Sequence, residues 1–242
     1  MPENEFAEAE PEMKSAPASR LAAMRVGAML PLLLLLVATV FVVPAFLPYG
    51  PAGRVVLDVL MTLVLLAGLL AVAEHRRIFP IVAVMSIVSI AVRWAEWFVP
   101  LADLPALREV SLLMALSVLA VAVGINVFGA GQAVADRVTG AVVLYLLIGA
   151  AWAIPYAMLH AHSQGAFSGV EGGTGYQMER WIYFSFVTLT TVGYGDITPV
   201  TRAARSLAIL EALVGQLYPA VILARLVSLP SDRRPRSGDS QE

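Results

Sequence analysis

The sequence predicts an all-α membrane protein with six transmembrane helices and a short re-entrant helix before the last of them. Of its 242 residues, 59% are hydrophobic and only 14% are charged, which is too little charge to cover a soluble protein of this size. Six apolar segments also approach the roughly 20 residues needed to cross a bilayer. A seventh apolar segment is too short to cross.

The six long segments lie at residues 26–47, 55–72, 78–99, 110–127, 138–159 and 202–229. The first is long enough to be a retained span, so we do not interpret it as a cleaved signal peptide. Its polar, Glu-rich flank has almost nothing to bury. We therefore expect four regions along the chain: a disordered tail at 1–25, a four-helix domain at 26–129, a second helical domain at 138–229 and a short tail at 230–242.

Composition excludes several classes of protein. A net charge of −2 leaves no long basic face for nucleic acid. The sequence has no cysteine, which excludes disulfides, thiolate catalysis and cysteine-ligated metals. The spans contain no clustered nucleophile, base and orienting group, so we expect neither an enzyme nor a cofactor.

The short apolar segment at 178–190 is followed by Thr-Val-Gly-Tyr-Gly-Asp at 191–196. Gly193 and Gly195 allow the backbone to adopt conformations that most side chains avoid. A row of inward-pointing carbonyl oxygens can then replace the water around a dehydrated potassium ion. We predict an ion pathway here, with residues 178–190 forming a re-entrant pore helix.

This pathway needs more than one chain. Non-helical backbone at membrane depth must be enclosed by protein or line a water-filled cavity. The glycine-containing segment occurs once in the sequence, whereas a ring of carbonyls needs several walls. We therefore expect a homotetramer, embedded in membrane lipids, with each chain supplying one wall.

Basic residues predict the orientation. Ten of the 16 Lys and Arg residues fall in the N-terminal tail, the second and fourth connections and the C-terminal end. Positive charge favours the cytoplasmic side. Both termini are thus expected in the cytoplasm, in the plasma (inner) membrane, with Asp196 facing outward.

Residues 188–199, Thr-Leu-Thr-Thr-Val-Gly-Tyr-Gly-Asp-Ile-Thr-Pro, resemble the pore signature of the potassium-channel superfamily. The resemblance extends from the fifth span onward. It implies a selectivity filter of five residues: Thr191, Val192, Gly193, Tyr194 and Gly195. The first four are implied to bind K⁺, the permeant ion, through their carbonyls, with the Thr191 hydroxyl as an additional ligand.

Three residues are candidates for filter support. Tyr183 and Phe184 stand where the superfamily often has two aromatics, and the Tyr183 hydroxyl can bond Asp196 and brace the outer filter. A plain packing role for Tyr183 is the alternative. Thr190 is expected to satisfy nearby backbone groups.

The sixth span contains Gly215 and, four residues later, Pro219. Because proline has no N–H, the Gly215 carbonyl loses its helical partner at the residue least resistant to bending. We predict a gating hinge, with a static kink or a close packing contact as alternatives.

Helical spacing from Gly215 places Gln216, Ala220 and Leu223 on one stripe, which we assign to the water-filled cavity. Glu211 lies one turn earlier inside the span. A carboxyl group there is usually functional or paired. Glu211 can couple the sixth span, which we call the inner helix, to the back of the pore helix, or it can be a protonated packing residue.

The first four spans resemble a voltage sensor in layout alone. The fourth span has Arg108 near its outer end and no further basic residue before Arg137. Without charges inside the field, steep voltage dependence is not expected. Arg93 can pair with Glu96 or with Asp58, as structural ion pairs.

Two other features are weaker. His160 and His162 have no third ligand nearby and are expected at the surface. Gly169, Gly172, Gly173 and Gly175 are expected in a flexible outer loop. A potassium-selective channel is the favoured function, and a weakly selective cation channel or a non-conducting membrane subunit remains as an alternative.

Overall fold

A computed structural model describes residues 29–46, 51–73, 75–99, 104–129, 134–163, 165–170 and 178–227. The predicted tails at 1–25 and 230–242 lie outside these residues, as do Gly172, Gly173 and Gly175. The described chain is almost entirely helical, in agreement with the prediction of an all-α membrane protein.

Seven helices and one short pair of strands form the described part of the chain. In chain order they are α1 (Met29–Phe46), α2 (Pro51–Val72), α3 (Phe79–Ala95), α4 (Leu104–Phe128), α5 (Val134–His162), β1 (Phe167–Ser168), α6 (Met178–Leu189), β2 (Thr198–Pro199) and α7 (Arg202–Val227).

Five of these helices, α1, α2, α4, α5 and α7, are long and apolar enough to cross a membrane. Helix α3 is equally apolar but has 17 residues, at the lower limit for a span. The predicted third span, 78–99, is too long at its C-terminal end, because residues 96–98 form a turn. The predicted fourth and fifth spans are too short, since α4 and α5 continue beyond both of their predicted ends.

The four-helix part packs against the remainder of the same chain. Helices α4 and α5 share the most extensive helix contact. Phe41, within a π-helical turn of α1 at Ala38–Val42, lies 5.5 Å from Phe186 of α6 between ring centroids. At the C-terminal end of α4, Arg225 of α7 donates to the Phe128 carbonyl. The two helical parts are thus also joined through α1 with α6 and through α4 with α7.

A network of charges holds α2, α3 and α4 together. Arg93 Nη1 donates to Asp58 Oδ1 at 2.6 Å, as one of the two pairings predicted from the sequence. Arg108 reaches Asp58 at 3.5 Å and Glu96 at 3.1 Å, and Arg54 pairs with Glu96. Asp58 and Arg93 are almost fully buried. Burial of these charges is tolerated because each has an opposite charge beside it.

Removing one charge from this network is expected to leave its partner buried and uncompensated. We expect Asp58→Asn to lower the free energy of unfolding by about 3 kcal/mol. Glu96→Gln is the control, because Glu96 is more exposed and its ion pairs are screened by solvent. Thermal melting of the purified protein in detergent measures both variants. Equal melting temperatures for the two variants would contradict this view of the network.

Candidate ion filter

The backbone at residues 191–195 alternates in handedness. Thr191, Gly193 and Gly195 have φ values of +58°, +59° and +81°, whereas Val192 and Tyr194 are not in this region. Among the described residues, Thr191 is the one non-glycine residue with positive φ. Such a conformation is strained for a residue with a side chain and is typical of functional sites. Glycine adopts it at little cost.

The amides of this segment bond to the end of α6. The N–H of Thr191 donates to the Thr188 carbonyl at 2.9 Å, and those of Val192 and Gly193 donate to the Val187 carbonyl at 3.0 and 3.3 Å. Within the described ranges, no backbone N–H donates to a carbonyl of residues 191–195. The segment is therefore held through its donors, while its acceptors are available for another ligand.

Residues 191–196 are all exposed in the single chain. Val192 is 52% exposed and Tyr194 is 71% exposed. These two side chains are therefore largely uncovered within one chain. Helix α7 is similarly uncovered: 11% of its apolar stretch is buried, against 61% for α5. At membrane depth, non-helical backbone of this kind must be enclosed by protein or line a water-filled cavity.

The outer end of the segment is held by two contacts. Tyr183 donates to Asp196 Oδ2 at 2.8 Å, the hydrogen bond suggested by the sequence; whether it braces conduction stays a prediction. This bond to a carboxylate, with a smaller contribution from burial, raises the pKa of Tyr183 to about 12. Tyr183 therefore remains a protonated donor at physiological pH.

Gly169 forms the second contact. It has φ +78°, and a Cβ at this position would overlap the Asp196 carbonyl oxygen. The preceding residues form β1, which pairs antiparallel with β2 through Phe167 with Pro199 and Ser168 with Thr198. Gly169 therefore lies in the loop expected of it and packs closely against the outer end of the candidate filter, while the flexibility of the loop stays a prediction.

Aromatic side chains anchor the first half of α6. Trp181 lies 4.9 Å from Phe167 and 5.0 Å from His160 between ring centroids. Phe184 lies 4.8 Å from Tyr156 of α5 in an edge-to-face arrangement. His162 is exposed, as expected, whereas His160 is half-buried because its ring packs at a tilt against Trp181. Within the described residues, no group of three His, Cys, Asp or Glu could hold a metal.

The C-terminal end of α6 meets the inner helix at Gly215. A Cβ at this position would overlap the Leu189 carbonyl oxygen, and the Tyr145 hydroxyl of α5 donates to the same oxygen at 3.4 Å. Helix α7 continues through Gly215 and Pro219 without a break. The structure thus gives Gly215 a packing role, and the gating hinge stays a prediction.

Glu211 lies at the junction of three helices. Its carboxyl group is fully buried and accepts from the Tyr156 hydroxyl of α5 at 2.6 Å. Ser185 of α6 lies 2.5 Å from the other carboxyl oxygen and donates to the Gly149 carbonyl at 2.8 Å. Glu211 therefore faces the back of the pore helix, where the sequence placed it.

Counting hydrogens indicates the state of this carboxyl group. The Ser185 hydroxyl has one hydrogen, and a backbone carbonyl can only accept. If Ser185 donates to Gly149, the hydrogen between Ser185 and Glu211 must come from Glu211. A neutral carboxylic acid satisfies all of these contacts, and it also avoids a buried charge.

The first of the residues predicted to line the water-filled cavity contacts the candidate filter. Gln216 Nε2 donates to Thr191 Oγ1 at 3.0 Å. Ala220 and Leu223 are exposed along the same helix. Thr190 Oγ1 donates to the Phe186 carbonyl within α6 at 2.6 Å, which is the local backbone role expected of it.

Three supporting residues are not predicted from the sequence: Gly149, Tyr156 and Ser185. Polar Ser185 and Tyr156 within apolar helices were a signal of a buried partner, but nothing in the sequence identified Glu211 as that partner. Gly169 was noticed, but its contact depends on where the chain turns back after the filter.

Comparisons with known proteins agree with this geometry. A family model described as "Ion channel" matches residues 138–231. Protein LctB of Geobacillus stearothermophilus is 42% identical over 87 residues, which are 34% of this chain and 63% of that protein. The matched region is therefore the part from α5 through α7 in the family model, and the four-helix part lies outside it.

Two further relatives carry potassium channel in their names. Two pore potassium channel c of Oryza sativa subsp. japonica is 38% identical over 73 residues, covering 30% of this chain. Potassium channel subfamily K member 17 of Homo sapiens is 46% identical over 54 residues, covering 20%. The chain spans 63% of the LctB length and 16% of each of these two proteins.

The hydrogen count at Glu211 predicts different outcomes for two substitutions. Glu211→Gln should preserve stability, because an amide can donate to Ser185 and accept from Tyr156. Glu211→Leu should lower the free energy of unfolding by about 2 kcal/mol or more, since it removes the acceptor of the buried Tyr156 hydroxyl and the hydrogen-bond partner of Ser185 at that carboxyl group. Melting in detergent compares the variants. A loss for Gln as large as that for Leu would show that a carboxylate is required.

The contact at Gly215 predicts that Gly215→Ala destabilises the protein by about 1–3 kcal/mol, because the added methyl group displaces the end of the pore helix. Gly124→Ala in α4 is the matched control: its Cβ would lie 3.5 Å from Leu144 Cδ2, an ordinary contact. Melting temperatures again provide the measurement. A Gly215→Ala protein as stable as the control would remove the packing role and favour the hinge.

Proposed function

We propose that this chain, a member of the potassium-channel superfamily, forms a homotetramer that conducts K⁺ passively through a filter at residues 191–195. The carbonyls of Thr191, Val192, Gly193 and Tyr194 replace the hydration shell of K⁺, and the Thr191 hydroxyl completes the innermost site. No cofactor takes part.

The observation that carries this proposal is an exposed backbone whose N–H groups at residues 191–193 are bonded to α6, while no described backbone N–H donates to its carbonyls. Acceptors without partners would be costly in a bilayer. Four copies around one axis remove that cost, because each set of carbonyls then lines a common water-filled path. The exposed apolar side chains of α7 supply the surface that such copies would cover.

The proposed orientation places both termini in the cytoplasm of the cell, with the protein in the plasma (inner) membrane. Arg137 donates to the Gly129 carbonyl and Arg225 to the Phe128 carbonyl, so these two basic residues lie at one end of the bundle. They support that end as the cytoplasmic side. Asp196 and the outer mouth then face away from the cytoplasm.

Steep voltage gating is not part of this proposal. Moving one charge through 100 mV supplies about 2.3 kcal/mol, so a sensor needs several mobile charges. Arg93 and Arg108 in the four-helix part are instead buried beside Asp58 and Glu96. Charges paired in this way favour a static domain. A bend of α7 at Gly215 and Pro219 remains the proposed gate.

Reconstitution into liposomes tests this function. We expect K⁺ efflux that is blocked by Ba²⁺, and a reversal potential that follows the K⁺ gradient and not the Na⁺ gradient. Gly193→Ala should abolish flux, because the alanine is strained at φ +59° and carries a methyl group into the filter. Gly165→Ala is the matched control, with φ +80° in the outer loop and open space around it.

Each other outcome has a distinct meaning. Equal permeation by Na⁺ would identify a weakly selective cation channel. A stable tetramer without flux would identify a non-conducting subunit. A monomer in detergent and in bilayers would contradict the proposed pathway, because one chain cannot enclose it.

A further inference from the structure

We propose that Gln216 is a positioning residue that orients the Thr191 hydroxyl and thereby sets the ion affinity of the innermost filter site. This inference rests on the potassium-channel function proposed above. It assigns to one side chain of the inner helix a direct role in how the filter binds a cation.

The geometry brings together two residues that are 25 positions apart in the chain. Gln216 Nε2 donates to Thr191 Oγ1 at 3.0 Å. Both side chains are otherwise exposed. Among the described residues, this is the one side-chain hydrogen bond between α7 and residues 191–195.

Both ends of this contact lie beside packed backbone in the conformation described. Gly215, next to Gln216, lies against the Leu189 carbonyl so closely that no Cβ would fit. The N–H of Thr191 donates to the Thr188 carbonyl, and the residue has φ +58°. In this conformation, the amide of Gln216 can decide the rotamer of the Thr191 side chain.

The chemistry of the hydroxyl explains the effect on an ion. A threonine hydroxyl has one hydrogen and two acceptor lone pairs. Gln216 occupies one lone pair, which leaves the second for a cation and prevents the oxygen from rotating to another staggered position. Four oxygens oriented in this way form a ring that is ready for an ion before the ion arrives, so binding costs less ordering.

Glutamine suits this role through length as well as polarity. Asparagine has the same amide but is one methylene shorter, so it cannot span the distance to Thr191. Methionine has nearly the length of glutamine but no donor. The two substitutions therefore separate the polarity of the cavity from the hydrogen bond itself.

Ba²⁺ is the probe, because it has nearly the radius of K⁺ and twice its charge, and so it depends strongly on oriented oxygens. In liposome flux, we expect Gln216→Met and Gln216→Asn each to weaken Ba²⁺ block on the order of tenfold. A purely structural role would reduce the amount of assembled protein without shifting the Ba²⁺ affinity. In a Thr191→Val background, Gln216→Met should have no further effect.

A second measurement does not require flux. Ba²⁺ that binds the folded protein raises its melting temperature in detergent, and Gln216→Met should reduce that rise relative to wild type. If Gln216→Met binds Ba²⁺ with wild-type affinity, the positioning role is overturned and the proposed channel function is not affected. Wild-type affinity in Gln216→Asn would also overturn it, in favour of cavity polarity.

Failure of the proposed function would look different. Wild-type protein with a Ba²⁺-dependent rise but no flux would contradict conduction, while the rise in Gln216→Met would still decide the role of Gln216. Wild-type protein with neither flux nor a rise would overturn both proposals.

Discussion

The hydrogen bonds between three amides of residues 191–193 and the last carbonyls of α6 are the interactions on which the rest of the structure depends. A backbone can offer its oxygens to a ligand only if something else holds it in place. Here the N–H groups of residues 191–193 hold the backbone in place. They tie a strained segment to the end of a helix, and contacts from α5, β1 and α7 keep that helix where it is.

The supports around α6 act at different heights. Aromatic packing from α5 and β1 holds its first half, through Trp181 and Phe184. The Glu211 cluster holds its middle from behind through Ser185. Gly215 and Tyr145 meet its last carbonyl. Each of these contacts joins α6 to another element, so α5, β1 and α7 all help to hold the helix to which the candidate filter is bonded.

The four-helix part contributes in another way. Its charges neutralise one another beside Asp58 and Glu96, and Phe41 of α1 reaches the pore helix. The four-helix part therefore resembles a static structural support more than a voltage sensor. The family model covers residues 138–231, from α5 through α7, and the four-helix part lies outside that range.

The amino-acid sequence alone determined the helical class, the position of the re-entrant helix and the candidate filter, because apolar length and the freedom of Gly193 and Gly195 are local properties. It also placed Glu211 and Gln216 on faces of one helix. Only the tertiary structure decided what those faces meet: Ser185 and Tyr156 for Glu211, and Thr191 for Gln216. It also decided that Gly169, in the outer loop, lies against the Asp196 carbonyl. These contacts join residues far apart in the chain, and their distances depend on how helices cross, which no local pattern specifies.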